Sequence, residues 1–78
     1  MNPAEPTIGE LIEEHYQVLF RYAWRLSGSS TDAEDLTQQT FLTAQRKLHQ
    51  LDNAAAARAW LFRILRNHYL KTLRKGSP

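Results

Sequence analysis

No cysteine occurs in the 78 residues. Its absence removes disulfides, thiolate zinc sites and thiol nucleophiles together, and fits a reducing, cytoplasmic setting. Only three glycines, Gly9, Gly28 and Gly76, punctuate the chain, and they make neither a phosphate-cradling loop nor a dinucleotide fingerprint. Length is equally limiting, because so short a chain hides only about 60% of the surface its unfolded form exposes. One small domain with a thin core fits that limit, and a large substrate cleft does not. Long hydrophobic runs are missing too: the least polar stretch, residues 54–65, is broken by Arg58 and Arg63. Residues 1–6 lack the basic and apolar parts of a secretion signal, so neither export nor membrane spanning is signalled. His15, His49 and His68 are expected on three different helices without metal-ligand spacing, and no serine, histidine and aspartate are framed as a nucleophilic set. Asp32 and Asp35 are more simply read as residues of a helix start than as a cation site. No enzymatic activity, metal or cofactor is therefore expected.

What is present is an uneven distribution of charge. Residues 1–45 carry seven acids against Arg21 and Arg25, a net −5, whereas residues 46–78 carry eight bases against Asp52 alone, a net +7. Such a split suggests a polyanion at the C-terminal end and a different partner for the acidic part.

Hydrophobic periodicity divides the chain into three helices. Thr7 and Glu10 have the spacing of a capping box, and Ile8, Leu11, Ile12, Tyr16, Leu19, Phe20, Ala23 and Leu26 follow at intervals of three and four until Gly28 stops the helix. A turn at Ser29 and Ser30 leads to a second capping box, Thr31 with Glu34, and to an inward set of Ala33, Leu36, Thr40, Phe41, Ala44, Leu48 and Leu51. Asp52 or Asn53 can cap a third helix starting at Ala54 and running without Gly or Pro to Gly76. On that helix Ala57, Leu61, Ile64, Leu65, His68 and Thr72 gather on one side, with Arg63, Arg66, Asn67, Leu70 and Arg74 on the other. Trp60 lies on the border. Folding requires the first side, while the second is either a solvated face or a binding stripe.

The run Asp32-Ala33-Glu34-Asp35-Leu36-Thr37-Gln38-Gln39-Thr40-Phe41, followed by Ala59-Trp60-Leu61-Phe62-Arg63-Ile64-Leu65-Arg66-Asn67, resembles region 2 of bacterial sigma factors of the extracytoplasmic-function group. A preceding Tyr22-Ala23-Trp24-Arg25-Leu26 segment is of the expected kind, and the resemblance covers roughly residues 11–75. It implies an all-α, compact three-helix domain over residues 7–75, with 1–6 a flexible lead-in and 76–78 the start of a linker. The second helical domain of the family, region 4, is absent from this chain. The implied function is transcription initiation: docking on the clamp coiled coil of the largest subunit of RNA polymerase, and engagement of the minus-ten promoter element as a single strand. Asp35, Gln38 and Gln39 are implied as the polymerase-binding residues. Helical geometry agrees, since they share a face at spacings of three and four and avoid the apolar set. The implied DNA-binding residues are Trp60, Arg63, Arg66, Asn67, Lys71 and Arg74, with the connection 51–58 as the loop that receives an unstacked base. Arginines and lysines there would neutralise phosphates, Asn67 would reach a base edge and Trp60 would stack or wedge. The resemblance admits an anti-sigma factor as a further partner and implies no membrane.

Three positions depart from the family's pattern: Gln39 and Lys71 stand where an acid is common, and Leu51 where an aromatic is common. Two other readings share the charge pattern. One is a basic helix binding duplex DNA in the major groove, and the other is a helical polymerase-interaction module without promoter activity.

Overall fold

The computed structural model describes residues 6–76, and among them the secondary structure is all-α: α1 (Ile8–Ser27), α2 (Ser30–Arg46) and α3 (Ala57–Gly76), with 3-10 turns at Leu48–Gln50 and Ala54–Ala56. The N-terminal lead-in other than Pro6, and Ser77 and Pro78 of the expected linker, lie outside the described residues.

Thr7 starts α1 as expected. Its hydroxyl accepts the Glu10 N–H at 3.1 Å, and the Glu10 carboxylate accepts the Thr7 N–H at 2.8 Å, so two otherwise orphaned donors are satisfied reciprocally. These bonds, the backbone one first, hold the Glu10 carboxyl below its ordinary range. Gly28 ends the helix with φ 74°, a left-handed geometry that suits a residue without Cβ, and donates its N–H to the Trp24 carbonyl at 2.7 Å.

The second helix begins earlier than its sequence signal. Ser29, not Thr31, is the N-cap, accepting the Asp32 N–H on its hydroxyl at 3.3 Å, and the expected Thr31–Glu34 box does not form. The chain needs no longer turn, because Gly28 reverses it at once. Ser27 and Ser29 then lock the reversal, the Ser27 hydroxyl donating to the Ser29 carbonyl at 3.1 Å and accepting the Ser29 N–H at 3.3 Å. Thr31 is left inside the first turn, and Asp32 falls where the helix dipole favours an acid.

Leu48 and Leu51 do pack inward, but through the 3-10 turn, since α2 stops at Arg46. His49 accordingly sits in that turn rather than on a long helix. Asn53 caps the next segment by accepting the Ala55 N–H at 2.9 Å; residues 54–56 form a 3-10 turn, and α3 proper starts at Ala57, one turn later than expected.

Leu11, Leu19 and Ala23 of α1, Ala33, Leu36, Phe41 and Ala44 of α2, and Ala57, Leu61, Ile64 and Leu65 of α3 fill the core with Leu51. Ile12, expected inward, lies at the rim, and His15 takes a buried place on the same face. Thr37 and Thr40 are fully buried because their hydroxyls donate to the Ala33 and Leu36 carbonyls at 2.7 and 2.8 Å, which lets polar side chains enter an apolar interface. At the far end α3 outruns its partners. His68 is only half-buried, and Thr72, expected on the core side, is exposed and bonds its own helix through the His68 carbonyl at 3.0 Å. The side chains of residues 70–74 are all exposed, in an elongated body of 47 × 20 × 16 Å. Among the described residues no helix is long and apolar enough to cross a membrane.

Candidate functional site

Asp35, Gln38 and Gln39 all project to solvent from α2. Leu36, Thr37 and Thr40, interleaved with them, are buried, so the core fixes which way the polar face points. Beside that face lies an apolar feature that the periodicity did not announce. Ile8, Ile12, Tyr16, Phe41, Leu42 and Gln45 line a shallow groove with Gln38. Leu42 is 56% exposed. Leu42 follows Gln38 by one helical turn, outside the inward spacing of α2, so its exposure was legible in the sequence, but the groove it forms with α1 was not. Tyr16 stacks on both Phe20 and Phe41 with ring centroids 6.2 and 6.3 Å apart, which joins α1 to α2 behind the groove.

The second surface is on α3. Arg63, Arg66, Asn67, Lys71 and Arg74 are exposed, and Trp60 is half-buried and packed against the core. At about 100° per residue Arg63, Arg66, Asn67 and Arg74 share one side, while Lys71 is displaced toward His68 and Ile64, the flank that meets α2. Leu70, exposed with the basic residues, makes the stripe part apolar. Of the connection, Leu51 is buried and so belongs to the core, leaving Asp52, Asn53 and residues 54–56 exposed.

The two surfaces meet at a polar junction. His68 Nε2 stands 2.7 Å from the Thr43 hydroxyl, which also accepts from Arg46 Nη2 at 3.4 Å. Burial, and then the positive charges of Lys71, Arg46 and Lys47, hold His68 below its ordinary pKa against an opposing pull from Asp35. The neutral ring is thereby favoured. Arginine being a donor only, the threonine proton is free for an unprotonated Nε2. No sequence spacing could have paired positions 43 and 68.

The chain has relatives among known proteins. A family model described as Sigma-70 region 2 matches residues 11–77. The ECF RNA polymerase sigma factor SigL of Mycobacterium tuberculosis is 48% identical over 58 residues, which is 73% of this chain and 33% of that protein. SigE of Mycolicibacterium smegmatis, another ECF RNA polymerase sigma factor, is 39% identical over 72 residues, or 92% of this chain and 28% of its own. SigM of Bacillus subtilis, of the same description, is 30% identical over 69 residues, 88% of this chain and 42% of that one. The chain therefore spans about a third of the length of the curated relatives it matches. No solved structure matches it significantly.

Proposed function

The chain belongs to the sigma-70 region 2 family, and from that premise we propose that it acts as a transcription initiation domain with two tasks. Asp35, Gln38 and Gln39 on α2 dock on the clamp coiled coil of RNA polymerase. Trp60, Arg63, Arg66, Asn67, Lys71 and Arg74 on α3 hold the minus-ten promoter element once its strands part. The observation that carries this reading is the outward presentation, from one shared core, of two chemically different faces on two helices.

Each face suits its task. Amide and carboxylate ends beside an apolar groove match a helix-on-helix interface, where burial of apolar area supplies affinity and hydrogen bonds fix register. The α3 arginines supply affinity through phosphates without reading sequence, and Asn67 carries the donor and acceptor needed at a base edge. Trp60, rooted in the core but not sealed within it, offers an edge on which a freed base can stack. No bond is made or broken. Holding an extruded base shifts an equilibrium whose cost is a few kcal/mol per base, and one stacking contact worth about 1–3 kcal/mol with several phosphate contacts is of that order. The isolated domain therefore binds a strand weakly, and an anti-sigma factor that covered the α2 face would block the first task.

Two measurements test the reading. Replacing Asp35→Ala together with Gln38→Ala should abolish capture of the polymerase clamp, and undiminished capture would refute the docking assignment. For the strand, Arg63→Ala and Arg66→Ala should each reduce the slope of log K against log salt by about 0.7, the increment for one phosphate contact on a single strand. Tighter binding to duplex than to single strand would favour a major-groove helix instead.

A further inference from the structure

Between the two faces, where the last turn of α2 meets α3, lies a cleft of about 140 Å³ lined by Thr43, Arg46, Lys47, Asn67, His68 and Lys71 over Ile64. Neither proposed task uses the α2 residues or the histidine. Three cationic residues border it, Arg46 and Lys47 at the end of α2 and Lys71 on α3, and no carboxylate stands within 4.0 Å of any of them among the described residues. Arg46 and Lys47 have one reason of their own to be present, since cations near a helix C-terminus complement its dipole. Lys71 lies before the last turn of α3, so the helix dipole gives it no such reason. Its displacement from the basic stripe toward α2 makes it the bridge from that stripe into the cleft.

We propose that this cleft seats one backbone phosphate of the single strand carried by α3, leading the strand from Asn67 across to the end of α2. The inference rests on the strand-binding role of α3 given above. A tetrahedral phosphate can take donors from several sides at once, and here the Arg46 guanidinium, the Lys47 and Lys71 ammonium groups and the Asn67 amide supply them. An anion among these groups also changes the charges around His68, whose pKa is lowered first by burial and then by the neighbouring cations. The charged groups acting on the ring are Lys71, Arg46 and Lys47, which oppose its protonation, and Asp35, which favours it. A bound phosphate screens the first three and adds a negative charge, so the ring takes up its proton at a higher pH than in the free chain, and its Nε2 then becomes a donor to the Thr43 oxygen. Strand binding is thus coupled to proton uptake, and strengthens as pH falls through the range in which free His68 is neutral and bound His68 is charged.

The test titrates the His68 imidazole by NMR in the 78-residue chain, free, saturated with an oligothymidine of about 12 nucleotides, and in the same phosphate concentration of inorganic phosphate. The expected result is an upward displacement of the His68 titration with the oligonucleotide and a smaller one with inorganic phosphate. In Lys47→Gln, an exposed position at the end of α2 that the strand-binding reading does not use, the displacement should shrink and the salt slope of strand binding should fall by about 0.7, so that a fourfold rise in salt weakens binding about 2.6-fold less than in the parent chain. A His68 titration unmoved by the oligonucleotide, or moved by inorganic phosphate alone, would overturn the proposal. If Arg63→Ala still flattened the slope while Lys47→Gln did not, the cleft assignment would fall and the α3 reading would stand. If no variant on α3 altered the slope, both would fall.

Discussion

His68 shows how one side chain can be half legible. Its spacing on α3 placed it toward the core, and it does face α2, but its partner Thr43 lies 25 positions away and could be found only in three dimensions. The partnership has a consequence for stability. Burial and neighbouring cations hold the folded His68 below its ordinary value of 6.5, so as pH falls through that value the unfolded chain takes up the proton first. Stability should decline from about there down to the folded pKa and gain no further penalty from this group below it. Glu10 acts in a separate range. Its lowered pKa stabilises the fold above its ordinary 4.5 and is lost only as pH falls below that value toward the folded pKa. Melting temperatures of the parent chain and His68→Gln, followed by circular dichroism in phosphate-free buffer, should therefore diverge as pH is lowered through 6.5, with the parent losing more. Parallel curves would remove the coupling.

At the scale of helices, two capping signals of the same form met different fates. Thr7 with Glu10 was legible because nothing upstream competes for the role, whereas Thr31 with Glu34 was displaced by Ser29, which Gly28 and Ser27 hold in the extended geometry that a cap requires. Spacing alone could not rank Ser29 against Thr31, since both precede an acid by three residues. Mutation can rank them. Ser29→Ala should destabilise the domain by about 1 kcal/mol, as loss of an N-cap does, while Thr31→Ala, inside the helix and without a capping bond, should stay within about 0.5 kcal/mol of the parent in denaturant unfolding. The reverse order would restore the later helix start. Premature termination of α2 at Arg46 was hidden for a similar reason. Leu48 and Leu51 keep an inward rhythm through the 3-10 turn, so periodicity continues where the helix does not.

For the whole molecule, three amphipathic patterns were enough to find the bundle and the outward faces of α2 and α3, because each is a property of one helix. The groove beside Gln38 and the cleft at Lys71 were not legible, because each is made where two helices meet and depends on how far one runs past the other. Size makes that geometry costly to disturb. At about 0.05–0.15 kcal/mol per residue a chain of this length has roughly 4–12 kcal/mol in all, and emptying one core position costs about 2–5 kcal/mol. Leu61 and Leu70 separate packing from surface on the same helix. Leu61 is completely buried in the shared core, and Leu70, more than two turns on, is 41% exposed. Leu61→Ala should broaden or abolish the cooperative thermal transition and weaken polymerase capture and strand binding together, since both faces are oriented by the same core. Leu70→Ala should leave the transition in place, changing stability by no more than about 0.5 kcal/mol. A Leu61→Ala chain that melted like the parent would mean that the faces are held in position by something other than the packing of these three helices.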